Sequence, residues 1–309
     1  TRNLWNQALS SVKVEGSERD KTIFYTSLYH TMIDPRCFSD CDGRYIGADK
    51  KIHQTGNFTY RTVFSGWDVF RSQFPLQTLI NPRLVNDEIN SLIQIAQLSG
   101  KEYYPRWEVV NAYSGCMLGN PAISVLADAY EKGIREYDVQ KAVEYAANTQ
   151  KQFGNGDLGY TPGSLSHTLE YAYTDWCLGQ LMSSLGKKKE AAEYEKRAKA
   201  YRNVWCDSVQ WFRARVKGGG WLLWRGRTAQ DQGTTESNPF QQGWFVPHDI
   251  DGMKALMGGQ KKFDVELEEF FANVPEDFLW NDYYNHPNEP NHHVPFLPVA
   301  DTEVDEKDL

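Results

Sequence analysis

Residues 166–185 read SHTLEYAYTDWCLGQLMSSL, and after Gly186 residues 188–205 read KKEAAEYEKRAKAYRNVW. Both stretches repeat apolar residues at the three-to-four spacing of a helix face, and the glycine between them ends the run. Together they predict a helical hairpin. The pattern recurs outward from there. Residues 19–33, 67–80 and 82–98 are helical, with Ile23, Phe24, Leu28 and Met32 on one face of the first. Leu84, Ile89, Leu92, Ile93 and Ile95 form the stripe of the third, and Pro82 suits its first turn. Residues 121–134 pair with 138–150, and 240–257 with 263–271 across Gly258-Gly259.

Between these helices lie long loops rich in Gly, Asp, Asn and Trp, at 38–64, 102–120, 154–163, 216–238 and 277–298. No strand series is strong enough for a parallel sheet; only short strands are expected near 216–225. The expected fold class is all-α: helical hairpins arranged as an α/α toroid, with long loops gathered at one mouth. Loops of that length in a compact domain usually carry function. An irregular bundle of the same hairpins is the competing reading, and the chemistry of the loops decides between them.

Composition narrows the function. The 309 residues include 40% hydrophobic ones, enough for a sizeable core. Aromatics reach 14%, and beyond the core such an excess favours a ligand with flat apolar faces, as sugars have. The formal charge of −8 and the lack of a basic stripe argue against nucleic acid. No apolar run spans a bilayer, so no membrane partner is expected. The chain opens at Thr1 without a signal peptide or initiator Met, which reads as a fragment or processed form. Five cysteines without a CxxC read as single buried thiols rather than a zinc site or disulfide scaffold. They leave the compartment open.

Five polar constellations stand out. Asp40-Cys41-Asp42-Gly43-Arg44 could hold hydroxyls or a metal, or could be a turn capped by Asp. Trp67-Asp68 with Arg71 offers a carboxylate for sugar hydroxyls beside a stacking ring; an N-cap is the alternative for Asp68. Glu170 and Asp175 sit on an aromatic-rich helix and read as core-network residues. Glu236 precedes the helix that begins near Pro239. Partial burial there against aromatics would raise its pKa and suit it to act as an acid; a first-turn or capping Glu is the plainer reading. Residues 281–293 form a polar loop in which Asn288 and Glu289 offer oxygens to a hard cation such as calcium. His292 and His293 are adjacent, badly spaced for one zinc, and are expected to bond sugar or backbone. Two carboxylate loops on a helical ring fit glycoside hydrolysis, which needs an acid and a base across the scissile bond.

The chain resembles glycoside hydrolase family 92, the calcium-dependent α-mannosidases. The ordered matches are 24–31, 38–45, Trp67-Asp68 with Arg71, Cys116-Met117, 127–130 with 132–134, 168–176, Thr235-Glu236, 244–249, and Asn288-Glu289-Pro290 with His292-His293. Several long motifs in order are far more specific than any one. The resemblance implies an (α/α)6 domain, normally preceded by a β-sandwich that this chain lacks, and single-step inversion at a terminal α-mannose. It implies Glu236 as general acid and Asn288 and Glu289 as calcium ligands. Calcium would act as Lewis acid and template on the sugar hydroxyls. Asp68 would bind mannose, with Trp67, Arg71, His292 and His293 on the substrate.

Ser237 stands where the family usually has Gly after the acid, and Pro287 where Gly often precedes the Asn-Glu-Pro. The match ends near Leu297, and the Gly-Asn-Asp/Glu-Asp motif that supplies the family's general base does not follow. The expectation is therefore an incomplete toroid over residues 1–297 and an unpatterned acidic tail at 298–309. The activity expected is release of terminal α-linked mannose, α-1,2-type, from N-glycans or mannans, with the base missing from this chain. A catalytically inactive calcium-dependent mannose-binding fragment is the alternative, and an unrelated toroid lyase or glycosidase a third. Family members are usually exported, so a secretory or extracellular site is expected by analogy alone.

Overall fold

The computed structural model describes residues 1–277 and 279–297; the expected acidic tail at 298–309 lies outside them. The chain packs as two compact units, Thr1–Gln152 and Phe153 onward. Each is helical. Strands among the described residues are short antiparallel pairs, none longer than three residues. Among the described residues, the ladder contact in the 216–225 region is a bridge between Arg215 and Trp221.

The first unit holds α1 Arg2–Leu9, α2 Glu18–His30, α3 Gly66–Val69, α4 Gln73–Ile80, α5 Pro82–Leu98, α6 Pro121–Glu131 and α7 Val139–Phe153. Its centre is α5, whose Leu84, Val85, Ile89, Leu92 and Ile95 are all buried. Asn81 caps it by accepting the Leu84 N–H at 3.3 Å, just before Pro82. α4 and α6 pack against α5 and against each other. The single helix expected over 67–80 is two helices. Pro75 has no N–H for a continuous ladder, so the chain restarts at Gln73 with the proline in the new first turn. α1 was not legible in the sequence; none of its residues is buried.

The second unit holds α8 Leu165–Ser184, α9 Lys188–Ala198, α10 Pro239–Gly243, α11 Ile250–Met257 and α12 Gln260–Ala272. α8 and α9 are the hairpin anticipated from residues 166–205. α8 is buried on nearly every side, as a helix apolar all round must be. Gly179 lets α9 approach: a Cβ there would stand 3.3 Å from Tyr194 Cβ. Asp175, buried, accepts an ion pair from Arg197 at 3.1 Å and ties the two helices together. After α9 the chain tightens into a 3-10 turn, Lys199–Val204. The helix expected over 240–257 is broken at Pro247. It restarts where Asp249 caps α11 by accepting the Gly252 N–H at 2.9 Å.

Cys177 and Cys206 are buried thiols, but Cys37, Cys41 and Cys116 are exposed, contrary to the expectation of five buried ones. Their loops and turns lie on the outside of the first unit, where no core reaches them.

Candidate active site

The second unit brings two of the expected loops together. Asn288 donates from Nδ2 to the backbone carbonyl of Glu236 at 2.8 Å. A network of amides surrounds that bond. Gln241 Nε2 donates to the carbonyls of Asn281 and Tyr283 at 2.7 and 2.8 Å. Asn238 Nδ2 reaches the Asp282 carbonyl at 2.8 Å, and Asn291 Nδ2 the Gln241 carbonyl at 3.2 Å. Ser166 Oγ accepts the Thr235 N–H at 3.0 Å and donates to Gln242 Oε1 at 2.7 Å, fixing the acid loop on α8. Buried backbone carbonyls that find amide partners make a rigid seam. Asn238, Gln241, Asn291 and Ser166 were missed in the sequence. The spacing Asn238–Gln241 ahead of a proline-led helix was the available signal, since it is a capping box.

That box also settles what Glu236 is not. Asn238 caps α10, so Glu236 is neither cap nor first-turn residue. Partial burial was expected for Glu236; its side chain is exposed. The cause is local: Ser237 and Asn238 turn inward and are buried, and Glu236 sits at φ +52°, which points it outward. A non-glycine residue in that region is held only when its surroundings over-determine it, and such residues concentrate at functional sites.

Asn288 is buried and Glu289 half-buried. Among the described residues no hydrogen bond or ion pair occupies the Glu289 carboxylate. Asn285, in the same loop, is fully buried with both side-chain atoms unpartnered among them. The donors here are oxygens from amides and a carboxylate, which fits a hard cation. No group of three His, Cys, Asp or Glu among the described residues is placed to hold a metal, so these few protein oxygens could serve only alongside water or ligand oxygens. The histidines bond backbone: His292 Nε2 to the His286 carbonyl at 3.1 Å, and His293 Nε2 to the Trp244 carbonyl at 2.8 Å.

In the first unit, Asp68 lies in α3 and is half-buried; Ser65, not Asp68, takes the cap position. Its Oδ2 accepts the Trp107 indole N–H at 3.0 Å. Trp67 was expected to offer a stacking face to sugar. It is 1% exposed, and the Arg71 guanidinium lies 4.8 Å from its ring centre, so that face is packed inside the unit. Gly66 is why the helix can sit so deep: a Cβ there would meet the Arg106 carbonyl at 2.7 Å. Behind this stands Glu108, fully buried. Burial pushes its carboxyl up, while bonds from Thr62 and from the N–H groups of Asn111 and Val63 pull the other way. The Asp40–Arg44 stretch is a structural turn, with Asp42 accepting from the Arg44 side chain at 2.6 Å and from its N–H at 3.1 Å. Glu170 and Asp175 are buried in α8, as the core reading expected.

Residues 1–300 match the glycosyl hydrolase family 92 catalytic domain. The chain belongs to glycosyl hydrolase family 92. Its fold matches a family 92 α-mannosidase from Bacteroides thetaiotaomicron at a TM-score of 0.89 and 31% identity, over 95% of this chain and 41% of that one. A family 92 inverting mannosidase from the same organism matches at 0.84 and 29%, over 96% and 45%. An uncharacterized secreted glycosidase of Arthroderma benhamiae (strain ATCC MYA-4681 / CBS 112371) is 28% identical over 56% of this chain and 29% of its own length. The family 92 chain thus spans less than half the length of these relatives. The all-α hairpin fold expected from the sequence is the fold these solved structures share.

Proposed function

We propose that this family 92 domain belongs to a glycoside hydrolase that releases terminal α-linked mannose, of the α-1,2 type, from N-glycans or mannans. The observation that carries the reading is the 2.8 Å bond from Asn288 to the Glu236 carbonyl, which fixes a carboxylate loop beside an oxygen-donor loop. Support also comes from the relatives: one solved neighbour is named an inverting mannosidase, and another, 30% identical, is a family 92 α-mannosidase in complex with mannoimidazole.

In this reading Glu236 is the general acid. Exposed on its loop, it is open to the glycosidic oxygen of an incoming sugar. Asn288, through Oδ1, and Glu289 would hold calcium, which supplies Lewis-acid polarisation of sugar hydroxyls when bound. In the first unit, taken by itself, Asp68 and Arg71 would bind mannose hydroxyls; in the second, His292 and His293 lie on the loop that carries Asn288 and Glu289. Inversion needs a second carboxylate to activate water. No residue in these 309 carries the family's base motif, so the base is assigned to none of them.

Calorimetry of the 309-residue chain with methyl α-mannoside, with calcium and with EDTA, tests this. Calcium-dependent binding with negligible mannose release is expected. Robust release by the purified chain overturns the assignment of the base, and binding indifferent to EDTA overturns the calcium role. Glu236→Gln, tested in a longer chain that does turn over substrate, should abolish release while keeping mannose binding.

A further inference from the structure

The Asp68 carboxylate is half accounted for. Its Oδ2 accepts the Trp107 indole N–H at 3.0 Å, while Oδ1 accepts no hydrogen bond from the described residues. An aspartate gripped at one oxygen by a rigid donor has its other oxygen aimed. The question is what keeps Trp107 rigid, since it lies in a loop and is only half-buried.

The next residue answers it. Glu108 begins a two-residue strand that pairs with Ala112–Tyr113 through a turn at Val110-Asn111. Both turn residues have positive φ, +49° and +66°, as a type I′ hairpin turn demands. Valine is a poor choice there, because its branched side chain is strained in the left-handed region. The strain is over-determined by Glu108 and Thr62. The Glu108 carboxylate accepts the Asn111 N–H, the Val63 N–H at 2.9 Å and the Thr62 hydroxyl at 2.8 Å. Thr62 Oγ1 accepts the Val110 N–H at 2.7 Å. Glu108 and Phe64 also exchange backbone bonds in both directions, at 2.9 and 3.1 Å. The carbonyl of Trp107 itself accepts the Ser114 N–H at 3.1 Å. The backbone on the Glu108 side of Trp107 is thus pinned to the segment that leads, through Phe64, into α3 and Asp68.

We propose that Trp107 is a positioning residue for Asp68, and that buried Glu108 is the knot holding it in place. This rests on the reading of Asp68 as a mannose ligand. Trp107 sets the carboxylate plane through its N–H, so that Oδ1 faces the sugar hydroxyls without a search over rotamers. Pre-ordering of this kind raises affinity without any added sugar contact.

The test is a double-mutant cycle on binding of methyl α-mannoside by the full 309-residue chain, using Trp107→Phe and Asp68→Ala. Trp107→Tyr serves as a second variant lacking the indole N–H if Trp107→Phe folds poorly. A bond from a neutral donor to a carboxylate supports a loss of roughly tenfold or more for either Trp107 variant alone. In the Asp68→Ala background the further loss should fall below about twofold, because the acceptor, and with it the interaction, is already gone. An equal loss in both backgrounds overturns the proposal, since Trp107 would then act by itself or through the fold. So does unchanged affinity in the single variants. NMR of the Trp107 indole N–H keeps the two readings apart: its resonance should move in Asp68→Ala, which has no acceptor, without any sugar. A moved resonance together with unchanged mannose affinity in Asp68→Ala removes the sugar role of Asp68. An unmoved resonance removes the bond on which the positioning role stands.

Discussion

Asn288 donates its side-chain N–H to the backbone carbonyl of Glu236 at 2.8 Å, and with the bond from Asn238 to the Asp282 carbonyl it joins the loop before α10 to the polar loop after α12. Asn288→Asp replaces the donor with an acceptor and sets two oxygens face to face. The Glu236 carbonyl loses its partner, at a cost of about 1–3 kcal/mol. Urea denaturation should show that loss, and calcium-dependent mannose binding should weaken only as far as the freed loop moves, because Asp keeps the oxygen assigned to calcium. Glu289→Gln should separate the two effects: binding falls, but stability stays within about 0.5 kcal/mol, because the carboxylate supports no bond in the fold. Matching losses of stability in both variants would tell against a ligand role for Glu289.

The backbone of Glu236, at φ +52°, makes a second prediction. A left-handed conformation costs a residue with a Cβ roughly 1–2 kcal/mol, and glycine is spared it. Glu236→Gly should therefore be more stable than Glu236→Ala by about 1 kcal/mol, despite glycine's greater freedom when unfolded. Both variants lose the acid. Equal urea midpoints for the two would mean the loop relaxes out of this conformation once the side chain is gone.

Helical hairpins were legible because their signal is local. The stripe of α5 and the glycine breaks at Gly186 and Gly258-Gly259 lie in the sequence itself. The breaks inside 67–80 and 240–257 were less so, since a periodic pattern continues across a proline that the backbone cannot follow. Of the candidate site, the residue types were readable and their surroundings were not. Glu236 looked like a carboxylate that aromatics would bury, yet the neighbouring Ser237 and Asn238 take the inward positions. Trp67 looked like an open platform and is packed under Arg71. Trp107 and Glu108 carried no signal at all, because their importance lies in partners 39 and 46 residues away.

The α8–α9 hairpin carries one partly buried ion pair. Asp175 is nearly inaccessible and meets Arg197 at 3.1 Å. Removing one partner of such a pair leaves the other charge less well compensated, at a cost of up to about 3–5 kcal/mol. Arg197→Met should show that cost. The double variant Asp175→Leu, Arg197→Met should recover most of it, because no charge is then left in the core. If the double variant is as weak as the single, the pair contributes through geometry that methionine and leucine cannot reproduce.

Glu88 makes the fold sensitive to pH. It lies on α5, fully enclosed, and its carboxyl is pushed up to about 8, first by burial and then by the nearby Glu108; Asp87 adds to the push and Arg61 opposes it. In the unfolded chain the same group titrates near 4.5. Folded protein therefore keeps a proton that the unfolded chain releases. The stability this contributes is complete below pH 4.5 and is lost as pH rises through about 8. The slope from one group is at most about 1.4 kcal/mol per pH unit. Glu108, also raised by burial, contributes in the same sense, so Glu88→Gln should flatten the profile without abolishing it. Urea midpoints at pH 5, 6, 7 and 8 measure it. The native chain should weaken steadily across that range, and Glu88→Gln should overtake it at the alkaline end. Parallel profiles for the two proteins would mean that Glu88 is ionised in the folded state throughout, with Arg61 offsetting the cost of its burial.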